Sequence, residues 1–366
     1  MKDFEVLSQG GQFRRLRRVA VAALAHYDLG ARSPGAVHLY PLTNIENATF
    51  RVEVVNPAVA SVASPLLGRA QGGESRRRYL LRIHRPNAKP AAAIRSEMQW
   101  LEALRRDTAL SVPQPVRTVS GAYLTTVTAA GVPGARCCVL LRWVEGRLCS
   151  PSRVSRRLME GLGALAGALH RHSERFEPPP GFSRPRADPE ACEALGASLL
   201  ELVRRARPAR PAYSRLQRLV PLVTDRAAAS MRFLGQDRPT FGITHGDLHL
   251  ANVVLHQGEV RAIDFDDCAW GYYLQELAVV LETLQQRADF EVLRAALLAG
   301  YRRVRPLGAE LESHLPTFVA ARGVALLEWL VTNENQPSFR PWAGAEIARI
   351  TGALETFVQR HACSVT

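Results

Sequence analysis

A chain of 366 residues exceeds the size at which a single core usually keeps growing, so two domains are expected. Its 47% hydrophobic content is that of a folded globule, and no uninterrupted apolar run approaches the roughly 18 residues of a membrane span, so no membrane partner is expected. The balance of 47 basic against 34 acidic residues gives +13, yet only Lys2 and Lys89 are lysines. No aromatic-interleaved basic stripe, helix-turn-helix or RNA-recognition signature accompanies the arginines, which argues against nucleic acid.

The six cysteines, at 137, 138, 149, 192, 268 and 363, form no C-x-x-C pair and no dense framework, which predicts a reduced, cytoplasmic protein. Near the start, "VAVAALA" after "RRLRR" imitates a secretory leader. Asp3 and Glu5 contradict a purely basic leader, so residues 12 to 28 are read instead as an amphipathic helix. The stretch "HLYPLTNIENATFRVEVV" then alternates around a polar turn at Thr43 to Asn47, predicting a hairpin. A Gly/Pro-punctuated stretch, "NPAVASVASPLLGRAQGGESRRR", reads as a long hairpin loop leading to a strand, "YLLRIH".

Next, "AAAIRSEMQWLEALRR" has helical spacing at Ile94, Met98, Leu101 and Leu104, and "CCVLLRWVEGRL" is a buried strand entering a bend at Gly146. From "RRLMEGLGALAGALHRH" the pattern turns helical, with Leu158, Leu162, Leu165 and Leu169 on one stripe. Residues 173 to 215 read as Pro-rich connectors around one helix at about 188 to 205, and further helices are expected near 272–285, 289–303 and 312–333.

One stretch carries chemistry. "ITHGDLHLANVVLHQGEVRAIDFDD", residues 243 to 267, holds three His, four Asp, a Glu and an Asn between short β-branched runs, with a hairpin turning at Gln257-Gly258. One reading is a hydrolytic zinc site at His245, Asp247 and His249, but no second His cluster with ligand spacing follows. Phosphoryl transfer fits better. It needs a carboxylate for the acceptor hydroxyl and oxygen ligands that hold a magnesium ion against the nucleotide phosphates. Protein kinases place the base Asp and a metal-binding Asn five residues apart, with a second metal-binding Asp on the next hairpin. Asp247 and Asn252 are five apart, and Asp264 follows the hairpin.

With these two motifs, "HGDLHLANVV" and "AIDFDD", the chain resembles the aminoglycoside phosphotransferase family from about residue 13 to 360. The resemblance implies an α+β, bilobal protein-kinase-like fold with a small β-rich N-lobe (1–141), a hinge (142–146) and a larger, mainly α C-lobe (147–366). It implies Asp247 as catalytic base, Asn252 and Asp264 as Mg²⁺ ligands, and His245 and His249 as supports of the loop.

In "YLLRIHRP", Arg82 occupies the place of the family's phosphate-gripping Lys, and Glu97 that of its helix partner. Asn44 and Asn47 lie in the nucleotide-covering turn, and Arg142, Trp143 and Val144 in the segment that meets the adenine edge. Asp266, Asp267, Glu328 and Glu334 are expected to meet a substrate ammonium, while Glu276 stands where the family usually has Asp. The implied partners are a nucleoside triphosphate, ATP, and a small hydroxyl acceptor bearing an amine, either an antibiotic or a homoserine- or choline-like metabolite. The alternatives are a stress-response type protein Ser/Thr kinase or a catalytically dead nucleotide-binding module.

Overall fold

Ser8, whose hydroxyl accepts from the Gly11 amide, starts helix α1 (Gln9–Leu24), and the buried Leu16, Val19, Ala20 and Ala23 face a common core. The computed structural model describes residues 3–31, 35–44, 46–56, 75–150, 153–206 and 211–362. The expected hairpin forms from β1 (Val37–Asn44) and β2 (Ala48–Asn56). Residues 57–74, read from sequence as a long loop, lie outside the described residues. Strand β3 (Ser75–Ile83) starts earlier than expected, because Ser75 to Arg78 pair with β2 in register.

Helix α2 (Ala91–Asp107) follows, then the short strands β4 (Gln114–Val116) and β5 (Leu124–Val127), then β6 (Arg136–Arg142). The antiparallel sheet runs β1-β2-β3-β6-β4, with β5 also on β6. Alternation along β3 sends Tyr79, Leu81 and Ile83 into the core with Phe50, Val52 and the α1 residues. Arg82 instead reaches Glu97 of α2, its Nη1 donating to both carboxylate oxygens at 2.8 Å, with side chains only 1% and 0% exposed.

The chain divides into two units, Met1–Glu145 with Pro178–Ser183, and Gly146–Glu177 with Arg184–Thr366. Of the hinge expected at 142–146, residues 142–145 group with the first unit and Gly146 with the second: the Trp143 amide donates to Arg78 O, and Glu145 pairs with Arg78 at 2.6 Å. Pro178–Ser183 joins the first unit through the Ser183 amide, which donates to Ser96 Oγ at 2.8 Å.

The second unit opens with β7 (Arg147–Leu148) and α3 (Arg156–Ser173), then β8 (Arg186–Ala187), α4 (Pro189–Arg205) and α5 (Pro211–Leu234). After these come β9 (Phe241–Thr244), the hairpin of β10 (Val253–His256) and β11 (Glu259–Ala262), and β12 (Ala269–Tyr272). The hairpin closes His256 on Glu259, so it turns at Gln257-Gly258 as the sequence indicates. The remainder is helical: α6 (Tyr273–Glu282), α7 (Phe290–Arg302), α8 (Ala309–Ser313), α9 (Leu315–Asn333) and α10 (Ala343–Ala362). The sequence reading did not anticipate β4, β5, α5 or α10.

Helices α3 and α7 cross backbone to backbone. A Cβ on Gly163 would lie 1.9 Å from Leu297 O, and one on Gly300 2.0 Å from Glu160 O, so nothing larger fits at the crossing. Helix α9 is long and apolar enough to cross a membrane by length and composition, a property hidden from a count of uninterrupted runs because Arg322 and Glu328 break it. Its Val324, Leu327 and Leu330 are buried in a core shared with α4, α5 and α10. The five described cysteines are free.

The Arg82–Glu97 pair generates a stability prediction. Glu97→Gln removes the counter-charge of a buried guanidinium, and breaking such a pair should cost roughly 3–5 kcal/mol. The double variant Arg82→Met/Glu97→Leu should recover most of that loss. Chemical denaturation of the three proteins checks it, and a double variant no more stable than Glu97→Gln would contradict it.

Candidate active site

All four residues of β9 are buried, and the strand delivers the chain to His245. Beyond it the backbone must turn sharply. Gly246 has φ +82°, and a Cβ there would lie 2.2 Å from Asp267 O, so this position admits only glycine. The turn leaves two amides without ladder partners, and Glu276, 1% exposed, accepts both: His245 N at 2.6 Å and Gly246 N at 3.2 Å.

The two histidines are locked as tautomers by their partners. His245 Nδ1 accepts from the Asp247 amide at 3.3 Å, so Nε2 carries the proton and donates to Ile263 O at 2.9 Å. His249 Nδ1 accepts from the Ala251 amide at 3.1 Å, so its protonated Nε2 faces Asp247 Oδ2 at 3.1 Å. Both rings thus have each nitrogen engaged, and neither offers a lone pair to the zinc site considered from the sequence.

The Asp247 carboxylate receives three donors. Arg322 Nη2 meets Oδ1 at 2.6 Å, while Asn252 Nδ2, at 3.0 Å, and His249 Nε2 meet Oδ2. Asn252 Nδ2 also donates to Asp247 O at 3.0 Å, and two acceptors on that atom fix the amide orientation. The Asn252 Oδ1 oxygen makes no hydrogen bond among the described residues.

Ile263 N donates to Asn252 O at 2.9 Å, placing Asp264 directly after that link. Asp264 itself has φ +62°, a left-handed conformation few non-glycine residues adopt, before a 3-10 turn at Phe265–Asp267. Burial pushes the Asp247 carboxyl up, but the His249 hydrogen bond and the Arg322 charge, with the electrostatic effect of the two neighbouring imidazoles, outweigh it and hold the group below its ordinary value.

A cavity of about 300 Å³ adjoins this loop, lined by Asp267, Thr244, Gly246 and Glu276 on one side and by Phe318, Ala321, Arg322 and Ala325 of α9 on another. Asp266 is buried, and Arg184 donates to its carbonyl and to that of Cys268. Glu328 and Glu334 do not line this cavity. Glu328 accepts from Ser198 Oγ at 2.9 Å and Glu334 from Tyr213 at 2.7 Å.

In the first unit, Asn44 Nδ2 donates to Gln12 Oε1 at 2.7 Å, and Asn47 lies in the bend between β1 and β2. The Arg142 guanidinium lies 5.8 Å from the Tyr79 ring centroid, and Trp143 and Val144 are half-buried. Sequence reasoning missed Arg322 and Arg184. Nothing in the helical pattern of α9 marks Arg322 as a partner of a residue 75 positions away.

Residues 60–311 match the sequence profile of the phosphotransferase enzyme family, APH. Homoserine kinase of Neisseria meningitidis serogroup B is 37% identical over 101 residues, 26% of this chain and 32% of that protein. The solved structure of a microcompartment-associated aminopropanol kinase is 27% identical, with a TM-score of 0.70 over 93% of this chain and 97% of that one. Amicoumacin kinase hAmiN, solved with AMP-PNP, Ca²⁺ and Ami, is 20% identical with a TM-score of 0.70, covering 95% and 96% of the two chains. These likenesses establish the kinase-like α+β fold.

The lowered Asp247 value sets a sign for pH. A carboxyl depressed in the folded state adds stability above its unfolded value, and that contribution is lost as pH falls through the folded one. Arg322→Gln removes a counter-charge, so it should raise the Asp247 value and move the acid limb of kcat/KM upward. A pH profile of both enzymes with one acceptor checks this, and coincident limbs would refute it.

Proposed function

From the premise that the chain belongs to the phosphotransferase enzyme family, we propose that it transfers the γ-phosphoryl group of ATP to a hydroxyl of a small, amino-bearing acceptor, with Asp247 as base. An alcohol-directed kinase activity follows from the family itself; the donor, the acceptor class and the residue roles are the proposal. The observation that carries it is the Asp247 carboxylate, held by three donors on two oxygens beside a cavity of about 300 Å³. A carboxylate has about four lone-pair sites, so one remains for the hydroxyl.

The acceptor oxygen attacks the γ-phosphorus as the bond to the β–γ bridging oxygen breaks. The hydroxyl proton passes to Asp247, and ADP leaves. Because such transition states are loose, orientation of the hydroxyl counts for more than basicity, which suits a carboxylate of lowered pKa.

The donor set suits a magnesium ion: an amide oxygen at Asn252 aimed away from Asp247 and a carboxylate at Asp264, both hard oxygens. Among the described residues no group of three or more His, Cys, Asp or Glu gathers as a metal cage, as expected where an ion is held by one or two protein oxygens and the substrate phosphates. When bound, the ion held by Asn252 and Asp264 would offset the negative charge of the nucleotide phosphates. Arg82, braced by Glu97, would grip the nucleotide phosphates with its planar fork. The amino-bearing acceptor is supported by the relatives named for homoserine and aminopropanol, and by Asp267 in the cavity wall.

Asp247→Asn should lower turnover by roughly 10²- to 10⁴-fold with the fold and nucleotide affinity retained. A phosphate-transfer assay over a panel of amino alcohols and hydroxy amino acids tests the reading; near-normal turnover in the variant would reject the base assignment. Asn252→Ala and Asp264→Ala should both raise the Mg²⁺ concentration needed for half-maximal rate, Asp264→Ala more because it removes charge as well as an oxygen. Magnesium titration at fixed nucleotide reads this directly, and unchanged titrations in both would reject the ligand assignment.

A further inference from the structure

The cavity beside Asp247 has an apolar wall, including Leu195, Met231, Val279 and Phe318, and two guanidinium groups, Arg186 and Arg322. Arg186 is mostly engaged elsewhere, with only its Nη1 making no hydrogen bond among the described residues. Its Nη2 donates to Gln236, its Nε faces Asp188 Oδ2 at 3.4 Å, and its guanidinium stacks 4.7 Å from the Phe241 ring centroid. Arg322 differs. Its one hydrogen bond among the described residues is from Nη2 to Asp247 Oδ1, and its side chain is 21% exposed.

Nε and Nη1 of Arg322 thus make no hydrogen bond among the described residues, and the side chain lines the cavity. A guanidinium presents its N–H groups as a planar fork matched to a carboxylate, and hydrogen bonds to a charged acceptor are among the stronger ones. Asp247 does not need the whole fork, since Asn252 and His249 already serve its other oxygen.

We infer that Arg322 receives the carboxylate of the acceptor, so that the substrate is a hydroxy amino acid and not a simple amino alcohol. The inference rests on the amino-bearing acceptor proposed above and narrows it. A zwitterion matches the wall by sign, its ammonium toward Asp267 and its carboxylate on Arg322. A purely cationic amino alcohol has nothing to place on Arg322. Engagement of Arg322 by the acceptor would also weaken its hold on Asp247 Oδ1, the oxygen nearest the cavity-lining guanidinium, so that binding of the correct acceptor and release of the base would coincide.

The test uses acceptor pairs that differ only by the carboxylate: homoserine against 3-aminopropan-1-ol, serine against ethanolamine, and hydroxylysine against its decarboxylated diamine. In at least one pair the acid should be preferred in kcat/KM by about tenfold or more, the scale of a charge-assisted hydrogen-bonded pair. Arg322→Gln should erase that preference mainly through KM for the acid. Arg322→Lys, which keeps the charge without the fork, should retain part of it. Amino alcohols used as well as or better than acids in every pair would overturn the inference while leaving the amino-bearing reading intact. So would an Arg322→Gln enzyme in which both members of the preferred pair fall by the same factor, since Arg322 would then act only through Asp247. Transfer confined to acceptors lacking an amine would remove both.

Discussion

Two backbone amides set the geometry of this site. Where β9 ends, His245 and Gly246 point their N–H groups away from any strand, and a buried polar group left unpaired costs far more than a hydrogen bond gains. The Glu276 carboxylate takes both amides. Behind it His170 Nε2 lies 3.7 Å from Glu276 Oε2, and the ring's Nδ1 contacts the Tyr301 hydroxyl, which also accepts from Arg305. Burial lowers the His170 value, so the ring stays neutral and serves as packing and hydrogen-bonding material beneath the loop. The longer Glu in place of the family's usual Asp is therefore a reach of one methylene inserted between a fixed helix and a fixed loop.

Upon that frame, opposing electrostatic terms meet on one carboxylate. Burial favours a neutral Asp247, and the surrounding donors and cations favour the anion more strongly. The result is a carboxylate held in its ionised form, in keeping with the proposed role of orienting a hydroxyl. That form suits a transfer in which the proton leaves late and the attacking oxygen must chiefly be aimed.

Much of this was legible in the sequence because it is local. The five-residue interval from Asp247 to Asn252 becomes a direct Nδ2–Oδ2 contact, and the Gln257-Gly258 turn returns the chain so that Ile263 bonds Asn252 just before Asp264. Arg82 and Glu97, 15 residues apart, lie on neighbouring strand and helix.

Other features were not legible, for physical reasons. Strands of three and four residues, such as Gln114–Val116 and Leu124–Val127, are too short to show a period and exist because β6 offers them an edge. Helix α5 contains Pro221, which reads as a breaker, yet packs Leu216, Val220 and Val223 into the core. Arg322 meets Asp247 across 75 residues, a pairing no local pattern records. Glu328 and Glu334, credited with substrate contact from their place in the chain, are turned toward Ser198 and Tyr213.

Helix α9 has two duties on opposite faces. Val324, Leu327, Leu330 and Val331 belong to the core with α4, α5 and α10, while Phe318, Ala321, Arg322 and Ala325 border the cavity. Close-packed interiors pass displacement on to their neighbours. A change of side-chain volume deep in that core would therefore roll the helix and re-aim a guanidinium without altering any residue that a substrate touches. Selectivity in such an enzyme can drift through mutations that look purely structural, and two homologues with identical site residues can still differ in what they accept.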